Sequence, residues 1–142
     1  MKDIDIAKEL LVKEDLALVA VKNGEVVFKS KDKGIKPMYI LATEMKARSY
    51  DASLADRVIG KGAAILCTYI GIKEVYGELI SEGGLSILEE YKIPYTMERS
   101  CSYIKNRDKT DYCPIEKLSL DTKDPIVLLQ RIKEFFISIN NN

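Results

Sequence analysis

Four groups of residues in this sequence have the types and spacing to hold a small molecule or to attack one. Lys61 stands between Gly60 and Gly62; an ammonium there can neutralise an anion, and glycines let backbone come close to it. Asp56, five residues earlier, is its candidate partner. A lysine near a helix start also snorkels to solvent with no further role, and the string is not a Walker phosphate loop, which needs four residues between its glycines. Ser81-Glu82-Gly83-Gly84 falls where a strand gives way to a helix. Ser81 can cap that helix while the following N–H groups offer an anion site, although an ordinary capped helix reads the same way. Tyr103, Asn106 and Arg107 place an aromatic face, an amide and a guanidinium in one polar segment. Such a set stacks on a ring and grips a phosphate or carboxylate with a fork of hydrogen bonds, or it is a solvated loop. Cys113 precedes Pro114, and a thiol at a helix N-cap is biased towards the thiolate. Glu116, on the same turn, opposes that bias, and a small capping residue is the alternative; Cys67 reads as packing.

The elements that position these residues follow from patterning. Asp5 to Leu11 is a short amphipathic helix. Leu16 to Val21 and Val26 to Phe28 flank Asn23-Gly24, the pair that accepts a type I′ turn, so they form an antiparallel hairpin. Pro37 opens a helix that runs to Arg48. Ser53, with Asp56 three residues on, reads as a capping box, which starts a second helix there and carries it through Leu66. Gly60, Gly62, Ala63 and Ala64 keep that helix thin, and its apolar far end makes it central. A strand at Glu74 to Ile80, a helix at Glu82 to Tyr91 and a strand at Ile93 to Met97 make a right-handed βαβ unit with parallel strands. A polar loop over Arg99 to Tyr112 precedes a helical turn at Cys113-Pro114. A last helix opens at Asp124-Pro125, with Ile126, Leu129, Ile132 and Phe136 on one stripe, and the tail after it is expected to fray.

Composition bounds the rest. The 142 residues carry 46% hydrophobic content, enough for one domain with a real core. Its core spans about residues 16–118 and its C-terminal helix about 125–138. Lys+Arg and Asp+Glu are equal at 22 each, so no net positive field draws a nucleic acid or an anionic membrane. Three cysteines without close spacing, and an opening MKDIDIAKELL that lacks the apolar core of a signal peptide, point to reduced thiols in a cytoplasm. The longest nearly uncharged stretch, Gly62 to Ile72, is short of the about 20 residues that span a bilayer.

The order hairpin, helix, glycine-rich central helix, strand, helix, strand resembles the cytidine-deaminase-like superfamily. More narrowly, the segments DRVIGKGAAIL, VYGELISEGG, SYIKNRD and CPIEK resemble the bacterial and archaeal family called domain of unknown function 1893. The resemblance runs from about Leu16 to Leu118. It implies a three-layer α-β-α domain of the α/β class, with a mixed sheet of four to five strands. Zinc deaminases carry His- or Cys-x-Glu at the start of the central helix and Pro-Cys-x-x-Cys at the next. Matching the Ala-Ile after the first pattern to Ala64-Ile65 puts Ile59 at the metal-ligand position and Lys61 at that of the proton-shuttling glutamate. The next helix opens without cysteine, and the chain has no histidine. The resemblance therefore implies a site with no metal ligand and no zinc-dependent deamination. Neither cofactor nor reaction is specified by it.

Three functions remain open. The first is binding of a small anionic or nucleotide-like metabolite at the starts of the central and following helices. There Lys61 would neutralise charge, Ser81 would help hold an oxyanion, and Asn106 with Arg107 would close over the ligand. The second is a cysteine-dependent enzyme in which Cys113 carries a sulfur or another group, an idea the superfamily resemblance supports through a sulfur-transferring member. The third is a non-catalytic interaction domain with a filled cleft. Self-association is expected by the same resemblance.

Overall fold

A computed structural model describes residues 1–140 of the chain. The Asn23-Gly24 turn joins strand β1 (Leu18–Lys22) to β2 (Glu25–Ser30). Both turn residues have positive φ, 52° and 80°, as a type I′ turn requires. Helix α1 (Asp3–Lys13) is tied to that turn, because the Asp3 carboxylate accepts the N–H groups of Asn23 at 2.9 Å and Gly24 at 2.8 Å. The helix expected over Pro37 to Arg48 is two pieces, α2 (Lys36–Glu44) and α3 (Lys46–Ser49), because Met45 between them leaves helical geometry at φ −129°.

The segment after α3 corrects the sequence reading. Ser53 and Asp56 cap no helix; Ser53–Ile59 is strand β3, and the central helix α4 (Lys61–Ile70) begins only at Lys61. Leu54-Ala55 and Val58-Ile59 can serve a strand or a buried helix equally well. Pairing decides: β3 has β1 antiparallel on one side and β4 (Glu74–Ser81) parallel on the other, so its backbone groups are used by two neighbours. Helix α5 (Glu82–Glu90) then leads to β5 (Tyr95–Cys101), parallel to β4, and the strand expected over Ile93 to Met97 lies further along the chain. The sheet is mixed and five-stranded, in the order β2-β1-β3-β4-β5.

Right-handed crossovers that advance in one direction put α4 and α5 on the same face. Their Ile65, Leu66 and Leu88, with Met38 and Leu41 of α2, share the main core with Leu54 and Val75 of the sheet. Ile4, Ala7 and Leu11 of α1 cover the opposite face, against Val19, Val21, Ala55 and Tyr76. After α6 (Pro114–Ser119), α7 (Pro125–Asn140) joins the main core through Leu128 and Ile132, while Ile126 is 59% exposed. Of the expected stripe, Ile132 is fully buried and Leu129 and Phe136 pack against the same core; only Ile126 lies outside it. Asn140 ends α7, and the rest of the tail expected to fray lies outside the described residues. Among the described residues no helix is long and apolar enough to cross a membrane.

Candidate ligand-binding cleft

Beyond Leu54 the pleat of β3 shifts. Leu54 and Ile59 both enter the main core although an odd number of positions separates them, and Val75 and Ile80 do the same on β4. The shift needs a local twist between the two members of each pair. Within it, the Asp56 carboxylate accepts the Val58 N–H at 3.2 Å. Asp56 is on the α4 face, where its charge helps raise the pKa of the fully buried Cys67 thiol; burial of that thiol is the larger cause. Burial also pushes the Asp56 carboxyl up to about 7, and no cation among the described residues offsets it. Its neighbour Arg57 serves other groups, donating to the Leu11 and Leu16 carbonyls at 2.8 Å each and pairing with Glu78.

Asp56 lines a cleft of about 590 Å³ at the carboxyl end of β3. Leu18, Ile35, Ala63, Ile104 and Ile115 make its apolar walls, and Lys31 and Lys33 stand on the loop that borders it. Asp15, Asp32 and Arg57 also line it, and its volume is in the range of small-molecule sites. Gly60 and Cys113 line the same cleft, Cys113 as a half-buried N-cap of α6 whose N–H donates to the Ile104 carbonyl at 2.8 Å.

One wall is held by Glu116, which is only 6% exposed. Its Oε1 accepts the Lys61 N–H at 2.7 Å and its Oε2 accepts the Ile104 N–H at 3.0 Å. The carboxylate thus sits on the positive end of α4, the place where an anionic ligand would otherwise bind. Gly60 permits this, since a Cβ there would overlap Glu116 Oε1. Lys61 answers in the other direction: its Nζ donates to the Leu120 carbonyl at 3.1 Å, next to the end of α6.

The candidate residues therefore separate. Asp56, Gly60 and Cys113 share the cleft; Lys61, Ser81 and Glu82 are not among its lining residues. The expected pocket common to Lys61 and Ser81 is replaced by packing, because the Lys61 stem would lie 3.1 Å from a Cβ on Gly83. Ser81 is fully buried and spends its hydroxyl on the Gly84 N–H at 3.1 Å. Tyr103 packs edge-on against Tyr112, with ring centroids 4.1 Å apart, and Asn106 closes its own loop by bonding Thr110. Arg107 is exposed on that loop. The role of Glu116 was hidden from the sequence because its two partners lie 55 and 12 residues away. Lys31 and Lys33 carried no motif beyond a polar loop.

Residues 6–136 match a protein family described as TM1506, domain of unknown function (DUF1893). The fold is similar to the crystal structure of a DUF1893 family protein from Thermotoga maritima, with a TM-score of 0.80 and 27% identity over 94% of this chain and 90% of that one. Comparison with curated proteins gave no match.

Proposed function

Because the chain belongs to the DUF1893 family, whose description specifies no activity, we propose from its geometry that it binds a small nucleotide-like metabolite in the cleft at the end of β3. One observation carries this reading: a cleft of about 590 Å³ with apolar walls holds a carboxyl group at Asp56 that has no cationic partner among the described residues, with Lys31, Asp32 and Lys33, net positive, on its border. An apolar ring fits the walls, and an anionic group on the same ligand is neutralised by Lys31 and Lys33. The anion site shifts in this way from the helix starts to the border loop, since Glu116 already covers the start of α4. The hairpin and the β3-α4-β4-α5-β5 order support a deaminase-like ancestry. The three cysteines are free, which supports a reducing compartment.

Isothermal titration with nucleoside 5′-monophosphates tests the reading. Binding that is abolished by Val58→Trp is expected, because Val58 is 42% exposed and lines the cleft, so a large ring there obstructs it without disturbing the core. Failure of every nucleotide to bind would sink the proposal.

A second reading, a cysteine-dependent group transfer, rests on Cys113 lining this same cleft. Alkylation of Cys113 by iodoacetamide faster than that of a simple thiol, and slowed by a bound nucleotide, would favour it over binding alone.

A further inference from the structure

We infer that Asp56 selects the ligand of this cleft, choosing a ring whose edge carries N–H donors over the same ring with a carbonyl at that position. The inference rests on the reading of the cleft as a metabolite site and adds the class of ligand it takes. Its basis is the distribution of polar groups. Leu18, Ile35, Ala63, Ile104 and Ile115 offer a ring no hydrogen bond from their side chains. Three other carboxyl groups line the cleft: Asp15 and Asp32 are exposed to solvent, Asp15 pairing with Arg57, and both oxygens of the buried Glu116 are already used by N–H groups of the chain, Oε1 by Lys61 and Oε2 by Ile104. Asp56 differs: Val58 N–H occupies Oδ1, and a carboxylate has about four acceptor positions in all, so acceptor capacity remains.

A ring amino group or protonated ring nitrogen placed against Asp56 satisfies that capacity. A ring carbonyl sets two acceptors against each other, a mismatch that a half-buried site penalises. The cations that could favour a carbonyl or an anion, Lys31 and Lys33, belong to the border loop, and Arg57 is committed to Glu78 and to backbone carbonyls. The β3 side and the border loop therefore ask for different chemistry: N–H donors at Asp56, and negative charge at the 31–33 loop, where Lys31, Asp32 and Lys33 leave a net positive charge. An aminopurine or aminopyrimidine nucleotide meets both demands, and its oxo counterpart meets one.

Matched pairs test the inference on the unmodified chain. Adenosine 5′-monophosphate is titrated against inosine 5′-monophosphate, and cytidine 5′-monophosphate against uridine 5′-monophosphate, at about pH 8.5, where the Asp56 carboxyl is ionised. In at least one pair the amino member is expected to bind at least about tenfold more tightly. Asp56→Asn should remove that preference while the oxo member binds as before or better. Equal binding within both pairs, with Val58→Trp abolishing all of it, would overturn the role of Asp56 and leave the cleft as a metabolite site. An absence of binding by all four nucleotides would overturn both.

Discussion

Asp56 is held in a state that costs the fold stability, and the cost has a definite sign. Its carboxyl titrates near 7 in the folded chain against 3.8 ordinarily, because burial disfavours the ionised form. Below about pH 4 both folded and unfolded chains carry the proton and there is no penalty. As pH rises from 4 to 7 the unfolded chain releases its proton first, so stability falls; above 7 the full penalty is present. Asn cannot ionise and keeps an oxygen for the Val58 N–H. Asp56→Asn should therefore stabilise the chain by roughly 2 kcal/mol at pH 8 and by almost nothing at pH 4, read from urea midpoints at the two values. An equal difference at both would mean that the carboxyl is not shifted. Lys61, whose ammonium meets the Leu120 carbonyl outside the cleft, behaves differently. Lys61→Ala should cost less than about 1 kcal/mol, as exposed hydrogen bonds do, and leave nucleotide titrations unchanged.

At the scale of elements, α4 and α6 are joined by a reciprocal contact: Glu116 of α6 caps the start of α4, and Lys61 of α4 bonds the chain just beyond α6. Removing the carboxylate leaves two N–H groups without their acceptor, so Glu116→Ala should cost about 3 kcal/mol. Gly60→Ala should cost about 2 kcal/mol for a different stated reason, displacement of Glu116 by the new Cβ, because φ of Gly60 is −92° and an alanine adopts it without backbone strain. The two changes attack one contact. In the Glu116→Ala background, Gly60→Ala should therefore cost less than in the unmodified chain, with only the 3.1 Å approach to Ile104 Cγ1 left to relieve, and a double-mutant cycle by chemical denaturation measures it. Additive costs would show that Gly60 is required for something other than the cap.

For the whole molecule, the sheet has unequal partners on its two faces. Several helices share the main core, whereas α1 alone closes the other cluster through Ile4, Ala7 and Leu11. Leu11 is fully buried there and its carbonyl also accepts from Arg57 of β3. Leu11→Ala should destabilise the chain by about 3 kcal/mol, the range of a buried leucine truncation whose surroundings only partly collapse. Thermal unfolding should stay a single transition, since both clusters are built on β1, β3 and β4 of one sheet. A separate early transition would mean that α1 is released by itself.

Sequence by itself determined what local chemistry determines. The Asn23-Gly24 hairpin, the strand-helix-strand order of β4-α5-β5 and Cys67 as a core residue are as the patterning has them, with only the last strand shifted along the chain, because a turn pair, short joints and an unbroken apolar run each specify their own conformation. Only the tertiary structure decided that Ser53–Ile59 is a strand, since its seven residues satisfy a capping pattern or a strand pattern and the choice falls to hydrogen bonds with β1 and β4. The candidate site divided along the same line. Asp56, Gly60 and Cys113 were legible as polar or small residues at element ends, and they do line one cleft. That Lys61 and Ser81 turn away from it, and that Glu116 closes the helix start meant for an anion, depends on side chains meeting across 55 residues of chain. Spacing along a sequence does not encode such a meeting; it exists only once the sheet has brought α4 and α6 together.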